Sequence, residues 1–358
     1  MIKRQQRINR RMRIFTLLLC FLTVVITALP ILEVAWWWVR IWDYPRLQIA
    51  SLCLLSAALL WVYVEKGILK VLSMVVLAAA FIYQIIYIVP YTPLYPVQAR
   101  AYEGTKNKSS FTILEANVKM DNREYDKFLE LVSDKNPDII VVTEPDTKWE
   151  EALRVLEKEY LYTIRKPLSN TYGMLLYSRL PLKNTQINFL VEDDIPSFYA
   201  SVVLPDGQEF DLYSLHPEPP KPGTPTYDRD TEILIVGRKV RASKKPTILV
   251  GDMNDVGWSN TTKLFQRYSR MVDPRIGRGS YNTYSVKLPF FRYPLDHFFY
   301  TEHFGFINLE KLGSIGSDHF PIFLEANLKA NGKYMKNLPE ADAEDKDDVK
   351  ETITQEKE

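Results

Sequence analysis

The sequence predicts an α+β domain, two β-sheets packed face to face and covered by helices, behind three transmembrane helices. Three observations carry this expectation. The first 100 residues hold three long apolar runs, residues 110–328 alternate short β-branched strands with helical patterns, and a hairpin signal joins two of the strands directly. Of the 358 residues, 46% are hydrophobic, enough to fill the core of one large domain or two.

The apolar runs cover residues 14–32, 47–64 and 71–89, and Gln48, at the start of the second, and Gln84 are the strongly polar side chains inside them. Each has the roughly 18 to 20 residues that cross a bilayer core as a helix. No polar face repeats at helical spacing, as a soluble bundle would require. A cleaved signal peptide is the rival for the first run, but the run is long and Ile26-Thr27-Ala28 is a poor cleavage site, so an uncleaved anchor is expected. Lys3, Arg4, Arg7, Arg10, Arg11 and Arg13 precede it with no acid among them, which predicts that residues 1–13 are cytoplasmic. Three crossings then put everything after residue 89 outside the cytoplasm, in a multi-pass protein of the cell membrane. Trp36, Trp37 and Trp38 fall just past the first span, where an aromatic belt is expected. Both cysteines, Cys20 and Cys53, lie in spans, so the exported part has neither a disulfide frame nor a thiol nucleophile.

Residues 91–109 read as a linker stiffened by prolines. Beyond them, strands are predicted over residues 111–118, 138–143, 173–177, 198–204, 209–215, 247–250, 295–300 and 322–326. Helices are predicted over 123–133, 148–159, 227–242 (weakened by Gly237) and 261–268. Asp206-Gly207 turns one strand into the next. The stretch 329–358 is expected to be a disordered acidic tail, since from residue 340 onward it has nine acids, three lysines and almost nothing to bury. Periodicity gives the layers but not the strand order.

Polar residues gather at the predicted strand ends: Asn117 in "ILEANV", Glu144 in "DIIVVTE", His216 in "LYSLHP", Asp252, Asn254 and Asp255 in "ILVGDMND", Asp296 and His297 in "YPLDHFFY", Asp318 and His319 in "GSDHFP". Each alone reads as a cap or turn residue. Six strand ends with the same habit point instead to one cleft. Hard oxygen donors with no cysteine suit Mg2+, Mn2+ or Ca2+ better than zinc. Imidazoles can protonate or stabilise a charged oxygen near neutral pH, and the set suits metal-assisted phosphoester hydrolysis.

With these motifs in this order, the chain resembles the endonuclease/exonuclease/phosphatase superfamily over roughly residues 110–327. "GDMND" matches that family's Gly-Asp-x-Asn motif and "SDHFPI" its Ser-Asp-His-x-Pro motif. The resemblance implies an α+β (α/β) four-layer sandwich, two packed mixed sheets flanked by helices. It implies that Glu144 binds the divalent metal with Asn117 beside it, on the metal and the substrate, and Asp318 as a second metal-side acid. By the same resemblance Asp252 orients or deprotonates the attacking water, and Asn254 holds the scissile phosphate. His319 faces the phosphate, Asp296 holds that imidazole, and His216 is a second histidine on the substrate. Deoxyribonuclease-type members pair that second histidine with an acid from the preceding strand, but Thr171-Tyr172-Gly173 offers none. His297 is expected to pack, and Arg229 and Arg292 to be solvated.

Residues 101–330 carry a formal charge of about −3, with no basic stripe. Tight nonspecific binding of nucleic acid rests on cationic contacts to phosphates, so this balance disfavours nucleic acid as the partner. The expected substrate is a lipid-linked or small phosphoester near the bilayer that the three spans contact. Extracytoplasmic nucleic acid is the enzymatic alternative, and a non-catalytic binding module on the same scaffold is the alternative outside enzymes. A transporter would need a polar path that two glutamines do not provide.

Overall fold

The structure, a computed structural model, describes residues 2–329, 332–335 and 338–355. Three helices are long and apolar enough to cross a membrane: α1 (Ile2–Ala28), α3 (Arg46–Tyr63) and α4 (Ile68–Ile88). A single short turn, α2 (Trp37–Arg40), lies between the first two. Cys20, Leu60 and Leu77 close the helices against one another at one level, and Ile26, Ile49 and Ala80 at another. Gln84 is fully buried between them, its amide within 3.3 Å of the Thr27 hydroxyl and 3.4 Å of the Arg46 guanidinium.

The remainder forms two mixed sheets. Strands β1 (Ser110–Asn117), β2 (Ile139–Thr143), β3 (Tyr162–Lys166), β4 (Met174–Ser178), β10 (Phe304–Lys311) and β11 (Ile322–Leu328) make one, in the order β10-β11-β1-β2-β4-β3. Strands β5 (Leu182–Phe189), β6 (Pro196–Val203), β7 (Glu209–Ser214), β8 (Thr247–Asp252) and β9 (Asp296–Tyr300) make the other, in that order. Successive strand residues face opposite sides, and the buried residues divide accordingly. Phe111, Ile113, Val141, Phe210, Ile248 and Phe298 meet in the core between the sheets. Leu114, Ala116 and Val142 face outward against helices α5 (Tyr125–Lys135) and α6 (Thr147–Leu153). Leu249 and Phe299 face outward against α7 (Tyr227–Ser243) and α8 (Asn260–Ser269). The result is the expected four-layer sandwich. Asp146 and Ser259 cap α6 and α8 by accepting from the backbone N–H three residues on. Gly237, which weakened α7 on propensity, is needed: a Cβ there would stand 3.0 Å from the Phe265 ring of α8.

Two expectations fail. The acidic tail is not all coil, since α9 (Ala343–Gln355) buries Val349 and Ile353 against α7 and α8, and Asp345 pairs with Arg267 at 2.6 Å. Two apolar anchors and one ion pair suffice to dock a helix whose other positions are charged. Residues 91–102 are not a free spacer either. Tyr91 packs edge-on against Trp258, Gly277 N–H donates to Pro90 O, Ala99 is fully buried, and Tyr102 N–H donates to Phe306 O.

The segment between α1 and α3 is docked as well. Arg40 donates to Thr261 Oγ1 at 2.7 Å, Trp258 Nε1 to Asp43 O at 2.7 Å, and the Tyr44 hydroxyl to Asn254 O at 2.6 Å. These bonds bring the segment between the first two long apolar helices to the loop that follows β8.

Candidate active site

Strand parity and direction assemble the site. Asn117 shares its face with Ile113, Asp252 with Ile248 and Val250, and Asp296 with Phe298 and Tyr300, all residues of the core between the sheets. β1 and β2 run parallel, as do β7 and β8, so the C-terminal ends of each pair lie together. β9 runs antiparallel to β8 and pairs Asp296 with Asp252, and β11 runs antiparallel to β1, which brings Asp318 and His319 to the same edge. Gly251 makes the bend at the end of β8 possible: its φ is 142°, and a Cβ would lie 2.0 Å from Leu215 O. Glu144 and Asn254 both turn out of their strands with positive φ, 62° and 49°.

All eight predicted residues converge on this edge. Asn117 Nδ2 donates to Glu144 Oε1 at 2.8 Å and to Asp252 Oδ2 at 3.0 Å. Asp252 Oδ1 accepts from Asn254 N–H at 3.0 Å. His319 Nδ1 bonds Asp296 Oδ2 at 2.9 Å, and its Nε2 lies 3.6 Å from Asp252 Oδ2. His216 Nε2 lies 3.9 Å from the same oxygen, with its ring against Tyr172 and its Nδ1 without a hydrogen-bond partner among the described residues, so the missing acid leaves that nitrogen unanswered. Asp318 Oδ2 meets Lys119 Nζ at 2.7 Å. Asn254 spends one amide hydrogen on Pro217 O at 2.9 Å and keeps the other.

Burial sets the electrostatics. Although burial opposes it, the Asp296 and Asp252 carboxylates hold the His319 imidazole up at about 10. Burial pushes the Asp252 carboxyl up, and Asp296 adds to this against the pull of His319. Asp296 is held low by His319, against its own burial. Burial and the Arg275 guanidinium push His297 well down, and its ring is fixed between Arg275 at 2.6 Å and Asp255 O at 2.8 Å. It packs, as its sequence setting indicated.

The structure changes two readings. Arg229 is not solvated: it is 1% exposed, paired with Asp230 at 2.7 Å, and donates to Asn254 O at 3.0 Å, bracing the loop from behind. Arg292 is half-buried, its guanidinium bonded to Ser285 O and Val286 O. Asn117 has both amide hydrogens committed, so it bridges two acids and has no donor left for substrate.

Sequence reasoning missed several members. Glu115, fully buried beside Asp296 and Asp252, has a carboxyl raised well above its usual range by burial and by those charges. The signal was available, because Glu115 is an acid in line with the inward-facing Phe111 and Ile113 of its strand. Tyr284, whose ring lies 4.9 Å from that of His319, Lys119, and Tyr44 from the segment between the first two long apolar helices carried no local signal.

A divalent cation fits this set. Glu144, Asp252, Asp296 and Asp318 crowd one edge, and Asn117 bridges two of them. Asp252, Asp296 and His319 offer ligand atoms within 4.8 Å of one another. The His319 imidazole already spends Nδ1 on Asp296, however, and a protonated ring is no ligand.

Several solved structures share the fold. TDP2 from D. rerio, complexed with single strand DNA product, matches with a TM-score of 0.53 and 16% identity over 61% of this chain and 99% of that one. An endonuclease/exonuclease/phosphatase from Bacteroides vulgatus matches with 0.51 and 16% identity over 62% and 99%. The catalytic domain of human Nocturnin, with bound sulfate anion, matches with 0.50 and 16% identity over 63% and 97%. No curated protein matches the chain. The model of the Endonuclease/Exonuclease/phosphatase family matches residues 114–319, more than half of the 358, and includes every residue of the cleft edge described above. The chain belongs to the endonuclease/exonuclease/phosphatase family.

Proposed function

We propose that the chain is a membrane-anchored, divalent-metal-dependent phosphoesterase acting outside the cytoplasm. The observation that carries this reading is the bridge made by Asn117. One amide ties Glu144, an acid open to a cation, to Asp252, a buried acid facing two imidazoles.

The roles divide along that bridge. Glu144 and Asp318, with Asn117 beside them, would hold Mg2+ or Mn2+, with Ca2+ as the third candidate. When bound, the ion supplies positive charge to the phosphate oxygens and lowers the pKa of a water molecule. Asp252 has one oxygen fixed by Asn254 N–H, the other accepts from Asn117 and faces the two imidazoles, and its raised pKa makes it a better base for the attacking water. His319 is protonated at neutral pH and tethered by Asp296. It offers its Nε2–H to the phosphate oxygens, where it opposes growing negative charge. Asn254 keeps one amide hydrogen for the same oxygens. His216, held only by packing on Tyr172, adds a second, weaker contact.

The orientation rests on the basic residues before the first span. The docking of residues 29–45 against the cleft loop means that the full chain is the form to assay. In nanodiscs, bis(p-nitrophenyl) phosphate and p-nitrophenyl phosphate are followed with Mg2+, with Mn2+ and with EDTA. Metal-dependent turnover of either ester that Asp252→Asn abolishes supports the reading. Turnover unaffected by EDTA, or none with any metal, contradicts it, and the second result would favour a binding module.

A further inference from the structure

The cleft does not end at the catalytic edge. One cavity of about 880 Å³ begins at Glu144, Asp252 and His319 and continues past Tyr44 and Pro45 to Ile26, Ile49 and Leu52 of the membrane helices. Leu52 lies six residues past the start of α3, which at about 1.5 Å per residue is about 9 Å down the span. One end of the cavity is therefore acids, amides and imidazoles, and the other is carbon at the depth of lipid tails.

Two further features share this place. Gln48 of α3 donates its amide to Phe290 O, tying the helix to the loop of residues 286–293. That loop shows Leu288, Phe290 and Phe291 at 55%, 84% and 52% exposure, and Phe291 also lines the cavity. Apolar side chains this exposed, beside the end of a membrane span, suit an acyl environment better than water. Among the described residues, no lysine or arginine lines the cavity.

From these observations we infer that the substrate is an amphiphile, a phosphoester that carries a hydrocarbon chain and enters from the bilayer. The inference rests on the phosphoesterase reading and names its substrate class. The phosphate sits at Asp252 and His319, and the chain runs along Ile49 and Leu52 beneath the 286–293 loop. A small hydrophilic ester would leave the apolar wall wetted, at a cost in proportion to its area. Nucleic acid would find no lysine or arginine among the lining residues to contact its phosphates.

The test uses the full chain in phosphatidylcholine nanodiscs with Mn2+. Its probes are alkyl p-nitrophenyl phosphates from ethyl to hexadecyl and the matching monoalkyl phosphates. The readout is the ratio of kcat/KM for the hexadecyl ester to that for the ethyl ester. Partition into the disc raises this ratio by itself, so the variants decide. Leu52→Trp, which fills the groove, is expected to lower the ratio at least tenfold. Leu54→Trp, at a position 57% exposed on the outer face of α3, is expected to keep it. Ile49→Phe, a smaller intrusion, gives the same reading if Leu52→Trp does not assemble. An unchanged ratio in both groove variants would overturn the inference while leaving the phosphoesterase reading intact. No turnover of any ester, ethyl included, would overturn both.

Discussion

On one side of the cleft, Asp252, Asp296 and His319 are 1%, 0% and 5% exposed, and each is answered by another buried group. On the other side, Glu144 and Asp318 are half-buried, and the partner of Asp318 is Lys119, a side chain itself 39% exposed. The two sides stand one amide apart, yet they treat charge in opposite ways. Burial fixes protonation states, which proton transfer and charge stabilisation require. Reach to solvent lets acids exchange their counter-ions, which binding a metal requires. The difference teaches that one strand edge can do both only if a neutral group separates them, and Asn117 is that group.

The largest expected effect breaks the buried side. Asp252→Asn removes the base while keeping the shape, and steady-state assays are expected to show a loss of about 10³-fold or more in kcat, with no recovery at any metal concentration. Next comes Asp296→Asn, expected to cost roughly 10²-fold. It should also change the pH profile. The His319 imidazolium, raised to about 10, gives stability that is complete below about 6.5 and is lost as pH rises through about 10. In wild type the alkaline limbs of activity and of thermal stability should therefore lie near 10, and in Asp296→Asn both should move to lower pH. A limb that does not move would mean that Asp296 does not hold the proton on His319.

Glu144→Gln, on the open side, is expected to cost about 10- to 100-fold at low metal and to recover partly as Mg2+ or Mn2+ is raised. Recovery here beside none in Asp252→Asn would sharpen the division, and the reverse pattern would invert it. His216→Gln should have the smallest effect, roughly tenfold or less, because a ring with an unanswered Nδ1 is less well held than His319. An effect equal to that of His319→Ala would mean that the two imidazoles act as a pair.

Central strands, the edge strand β9 and the site residues were legible in the sequence, and the other three edges were not. The strands that periodicity missed, β3, β5 and β10, all lie at sheet edges. In β5, Leu182–Phe189, no residue is buried, so alternation has little to act on, and its polar residues suit an edge that must not pair. The inner strands β1, β2 and β8 are buried almost throughout and stood out as apolar runs. The cleft residues were legible because each adjoins a strand run, Asn117, Glu144, His216 and Asp252 at its end and Asp296, Asp318 and His319 at or before its start. Tyr44, Arg229 and the wall of Ile49 and Leu52 were not, because their roles come from docking between segments far apart in the chain. Arg229 reads as one more helix-surface arginine until the Asn254 loop lies over it.

The division of the cleft is tested most directly by titrating Mn2+ into the full chain and into Asp252→Asn and Glu144→Gln, followed by electron paramagnetic resonance. The account predicts that Asp252→Asn binds the ion with near wild-type affinity yet does not turn over, and that Glu144→Gln binds at least tenfold more weakly. Loss of Mn2+ binding in Asp252→Asn with wild-type affinity in Glu144→Gln would contradict it, and would put the ion among Asp252, Asp296 and His319 instead.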